Sequence, residues 1–88
     1  MSNEQEARLH EEISIGNRAA NAYNTYLKEY IEAQSKALFL KFVQPTTSID
    51  EAIEIKRLQT SIAMLEYDIK QDIETGKLAL MQLNNQEK

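Results

Sequence analysis

One proline divides this chain. Pro45 stands in Gln44-Pro45-Thr46-Thr47-Ser48, the only stretch that reads as a loop, and the two flanks carry just two glycines, Gly16 and Gly76. Proline removes a backbone donor and biases its predecessor away from helix, so a helix ending near Val43 is expected. The restart has its own signal. Ser48 followed by Glu51 is a capping-box pattern, with Thr47 as the alternative cap, and Asp50 and Glu51 suit the positive end of a helix.

Both flanks have helical periodicity. Upstream, Leu9, Ile13, Gly16, Ala20, Tyr23, Leu27 and Tyr30 step alternately by four and three. Beyond Tyr30 that register meets Gln34 and Lys41, while Ile31, Leu38 and Phe42 take over one position later. A straight 3.6-residue helix drifts in this way against a seven-residue repeat. Downstream, Ile55, Leu58, Ile62, Leu65 and Ile69 form a stripe that slides to Ile73, Leu80 and Leu83. The expectation is an all-α fold, an antiparallel two-helix hairpin of one domain spanning 1–88, with helices at about 5–43 and 49–83 and a turn at 44–48. Each arm of roughly 35 residues would be about 50 Å long.

The glycines leave alternatives open. A glycine in a helix interior costs about 1 kcal/mol relative to alanine. Gly16 ends a short N-terminal helix, allows close approach between helices, or is simply tolerated in a continuous one. Gly76 marks a kink or local end near Thr75, or is simply tolerated. The polar ends, before Glu6 and after Asn84, are expected to fray.

Composition closes several function classes. Eighty-eight residues permit one small domain, and a chain of this size buries little more than about 60% of its unfolded surface. The chain has no cysteine, so it has neither a disulfide framework nor thiolate metal ligands. The longest apolar stretch, Ala37–Val43, is interrupted by Lys41 and falls far short of the roughly 20 residues a membrane span needs. The opening Met1-Ser2-Asn3-Glu4-Gln5-Glu6 does not read as a signal peptide. Ten Lys or Arg against fourteen Asp or Glu give a net charge of −4, which disfavours duplex DNA as a partner. Small scaffolds usually need a further staple. With disulfides excluded, self-association or docking on a larger partner becomes the expected source of stability.

Catalysis has little raw material. His10 is the sole histidine and sits beside Glu11 and Glu12, as a solvated residue would. Glu66, Asp68, Asp72 and Glu74 are interleaved with Lys70 and Lys77, and Glu66–Lys70 is a favourable i,i+4 pair. No phosphate loop, Ser-His-Asp set or zinc spacing is present, so no catalytic residue, cofactor or metal is assigned.

Two apolar features exceed the needs of a hairpin seam. Tyr23, Tyr26 and Tyr30 share one helix face, either as an interface or packed against Leu65 or Ile69 of the seam. Leu38, Phe39, Leu40, Phe42 and Val43 make the end of the first helix apolar on several sides, which one partner helix cannot cover. These eight residues are the candidate partner-binding set. Lys28, Lys36, Lys41, Lys56 and Arg57 could gather near the tip and contact phosphate, although in an acidic chain such charges more often serve solubility.

Two short blocks carry a resemblance. Glu12-Ile13-Ser14-Ile15-Gly16-Asn17-Arg18-Ala19 is similar to an opening E-I-x-x-G-x-x-A, and the block Asp72–Ala79 contains E-T-G-K-L-A. This layout resembles small helical proteins of tailed bacteriophages, whose genes tend to lie among packaging and particle-assembly genes. About sixteen positions carry the identity. The turn, with Pro45-Thr46-Thr47 and its Phe-rich lead-in, departs from the pattern. The resemblance implies a phage structural or assembly role in the virion or the bacterial host cytoplasm, with no catalytic residues. Its partners would be the chain itself or larger capsid, connector or internal core proteins. A regulator that blocks a host protein and a DNA-packaging adaptor are the alternatives. The resemblance also suggests that Gly16 and Gly76 pack closely at one level of the hairpin.

Overall fold

A computed structural model describes residues 2–86, all of whose regular structure is helical. Helix α1 spans Asn3–Ala22, a π-helical turn spans Tyr23–Leu27, α2 spans Lys28–Phe42, and α3 spans Ile49–Gln86. The first arm is thus one continuous rod of α1, the π turn and α2. The extents are 62 × 22 × 15 Å and the radius of gyration is 18.7 Å, against about 12 Å for a compact domain of this length.

The ends of the rods are set by local hydrogen bonds. At the N-terminus, Gln5 N–H donates to Ser2 Oγ at 3.2 Å and Ser2 N–H donates to Gln5 Oε1 at 3.4 Å, a complete capping box. This cap starts the helix at Asn3, where fraying before Glu6 was expected. At the turn, Val43 N–H reaches Phe39 O at 3.1 Å and Thr47 N–H reaches Gln44 O at 3.1 Å. The Thr47 hydroxyl donates to Lys41 O, which occupies a carbonyl that α2 leaves without an intrahelical partner. Glu51 N–H donates to Ser48 Oγ at 3.1 Å, so Ser48 caps α3 as its sequence pattern predicts.

Neither glycine interrupts its helix. Helix α1 runs through Gly16 and α3 runs through Gly76, so there is no separate N-terminal helix and no local end at Thr75. Instead the two glycines, both buried, face each other. A Cβ built on Gly16 would lie 2.8 Å from Gly76 Cα and 3.1 Å from Asp72 O, and one on Gly76 would lie 2.9 Å from Gly16 Cα. The backbones touch. Leu9, Ala79 and Leu83 form the buried cluster beyond this contact, with Ile13 packed against it. A gap of about 80 Å³ remains beside the glycines. Nearer the turn, Tyr23 pairs with Glu66.

The one-residue slip in the upstream stripe has a local cause. In the π turn, Lys28 N–H bonds Tyr23 O, five residues back. The wider turn takes up one extra residue, so the inward face passes from Tyr23 and Leu27 to Ile31, which is buried, and Tyr30 turns outward. The slip is concentrated in this turn rather than spread as uniform drift.

Downstream the inward face also differs from expectation. Ala52, Ile55, Gln59, Ile62, Glu66, Ile69 and Ile73 are buried or half-buried, while Leu58 and Leu65 are exposed. Two polar residues occupy inward positions that an apolar count passes over, and Glu66 is held there by its bond to Tyr23. Close contact is concentrated between α1 and α3, and α2 engages α3 less.

Four outcomes test this packing. Gly16→Ala should lower stability by about 1–2 kcal/mol in urea melts, because an overpacking cost of up to about 3 kcal/mol against backbone outweighs a helix-propensity gain of about 1 kcal/mol. Gly16→Ala combined with Gly76→Ala should cost less than the sum of the two, since both act on one contact. Deleting Asn24 should convert the π turn to α-helix and leave the melting temperature equal or higher. Deleting Glu32 instead should turn Leu38 away from α3 and lower it.

Candidate interaction surface

The described residues hold no group of His, Cys, Asp and Glu able to bind a metal, and no helix among them is long and apolar enough to cross a membrane. His10 is exposed. Lys70 Nζ lies 3.9 Å from Glu66 Oε1, Arg8 Nε lies 3.9 Å from Glu12 Oε1, and Arg57 Nη1 lies 3.3 Å from Glu54 Oε2. These are intrahelical pairs, each worth a few tenths of a kcal/mol.

The three helix-face tyrosines divide into two roles. Tyr23 is half-buried, and its hydroxyl donates to Glu66 Oε2 at 2.9 Å while Lys70 Nζ sits 5.7 Å from its ring centroid. It ties the first arm to α3 by a hydrogen bond to Glu66. Tyr26 and Tyr30 are exposed and stacked on one another, with ring centroids 5.9 Å apart and planes 18° apart. The π turn separates these roles, because it moves Tyr30 off the inward face.

The end of α2 is apolar on its outer sides. Phe39, Leu40, Phe42 and Val43 are 44–56% exposed, whereas Leu38 is half-buried on the inward face with Ile31. Of the eight residues singled out from the sequence, six are therefore open to a partner, and Tyr23 and Leu38 serve the contact with α3. Lys28, Lys36, Lys41, Lys56 and Arg57 are all exposed, and Arg57 is engaged by Glu54.

A further surface was not singled out from the sequence. Along the outside of α3, Ile49, Ile53, Lys56, Thr60, Ala63, Tyr67, Gln71, Glu74, Leu78 and Met81 are exposed and follow one another by threes and fours. They form a second stripe beside the inward one. A shallow groove of about 630 Å³ runs along its middle, from Lys56 past Ala63 and Met64 to Tyr67 and Asp68. The spacing was present in the sequence, but the more strongly apolar Ile55–Ile69 stripe masked it. Compared with protein-family models, curated proteins and solved structures, the chain matches none of them.

The Tyr23 contact has a pH signature. The hydrogen bond to the Glu66 carboxylate raises the Tyr23 pKa above the ordinary 10.0, with desolvation and the Glu66 charge acting in the same direction and Lys70 opposing them. The neutral phenol is favoured by folding, so its contribution is complete below the unfolded pKa and is lost as pH rises through the higher folded value. In a spectrophotometric titration of phenolate absorbance, Tyr23 should ionise above the ordinary range. Tyr23→Phe should remove that late step and flatten the alkaline loss of stability.

Proposed function

We propose that this chain is a non-enzymatic structural or assembly protein of a tailed phage, an antiparallel two-helix hairpin that acts by self-association or by docking on larger particle proteins. The observation that carries the reading is the balance of apolar surface. Among the described residues, five hydrophobic side chains are buried while sixteen large ones are exposed. Isolated exposed hydrophobics are ordinary, but exposed apolar side chains clustered together mark interaction sites. A chain with so small a core gains stability when those faces are covered.

The exposed set has a geography that suits docking. Phe39, Leu40, Phe42 and Val43 lie together at the turn end of the molecule, next to Ile49 at the start of α3, which is 81% exposed. Aromatic and aliphatic groups concentrated at the tip of a rod can insert into a groove on a larger protein, as interface anchors do. The resemblance of the Gly16 and Gly76 blocks to small phage proteins supports capsid, connector or internal core proteins as that larger partner. It also supports the virion or the host cytoplasm as the place of action.

Quantitative mass spectrometry of purified phage particles and assembly intermediates tests this reading. The wild-type chain should be recovered in fixed stoichiometry. The variant Phe39→Ser with Val43→Ser should lose at least about tenfold in recovery while keeping its helical circular dichroism. A chain absent from both particles and intermediates would refute the assignment.

A further inference from the structure

From the outer stripe of α3 we infer a specific occupant, a second copy of this chain whose α3 packs antiparallel across a two-fold axis at the level of residue 65. The inference rests on the reading of the chain as an association module and adds the partner, the face and the register.

The argument is the near-palindromic character of the stripe. In an isologous contact, each surface must complement itself when turned about the axis. Taken in positions equidistant from residue 65 to within one residue, Ile49 meets Met81 of the second copy and Ile53 meets Leu78, so apolar ends cover apolar ends. Lys56 meets Glu74, and these are the single cation and the single anion of the stripe. Thr60 meets Gln71, and the small Ala63 meets the ring of Tyr67, a large-against-small pairing that lets two helices interdigitate. Met64 stands beside the axis.

Charge decides the direction. A parallel in-register pairing would set Lys56 against its own copy and Glu74 against its own, which is repulsive at both sites. The antiparallel register converts both into ion pairs. Lys56 and Glu74 are exposed and have no ion-pair partner among the described residues, so both are available. The contact would extend from Ile49 to Met81, about 48 Å of helix at 1.5 Å per residue. It lies on a different face from the inward stripe of α3, so dimerisation leaves the hairpin closed and the tip residues free.

Charge reversal gives the test. Sedimentation equilibrium over a concentration series should find a dimer for the wild-type chain. Lys56→Glu should weaken it about tenfold by placing two carboxylates together twice per dimer, and Glu74→Lys should do the same with two ammonium groups. The double variant Lys56→Glu with Glu74→Lys should return to within about threefold of wild type. Circular dichroism should be unchanged in all of them, since both positions are exposed. A wild-type chain that stays monomeric to about 1 mM overturns the pairing, and if it is still recovered in particles, docking on larger proteins stands. A dimer indifferent to either single reversal, or one that the double variant fails to restore, also overturns it by placing the contact on another face.

Discussion

The backbone contact between Gly16 and Gly76 is the constraint on which the rest depends. No side chain separates the arms there, so α1 and α3 approach until Cα atoms and carbonyls are neighbours. That closeness sets the level at which the two rods are paired. It lets Leu9 close over Ala79 and Leu83 on one side, and it brings the Tyr23 hydroxyl within reach of Glu66 on the other. The propensity cost of two helical glycines, about 1 kcal/mol each, is offset by contact that no other residue allows.

The π turn answers a mismatch between the arms. The inward face of α3 keeps steps of three and four, whereas the first arm carries one residue more than that repeat accommodates between Tyr23 and Ile31. A uniformly α-helical arm would carry the extra 100° of rotation into every later position and turn Ile31 and Leu38 away. The wider turn absorbs the extra residue in one place. Its side effect is the exposed, stacked Tyr26–Tyr30 pair. The departure from ideal helix thus both preserves the inward face and creates an aromatic feature on the outside.

Two contacts explain where the surface lies. The glycine level draws α1 and α3 together, while α2 rests less closely on α3. Apolar residues toward the turn are consequently left uncovered, although their hydropathy matches that of the core. The five buried hydrophobic side chains leave a structure whose apolar faces outnumber its internal partners. The uncovered apolar groups gather at the tip and along the outer stripe of α3.

The helical class, the place of the turn and the Ser48 cap were all legible in the sequence, because periodicity, proline and capping residues act over a few neighbours. The surplus of apolar surface at Phe39–Val43 was legible for the same reason, since no single partner helix covers every side of such a segment. The meeting of Gly16 with Gly76 was suggested by their placement, but only the pairing of distant backbones established it. Tertiary structure alone decided that α1 continues past Gly16, that Tyr23 turns inward while Tyr30 turns out, and that Glu66 rather than Leu65 faces the first arm. Each of those outcomes depends on which residue stands opposite, and a single strand of sequence does not contain its own opposite face.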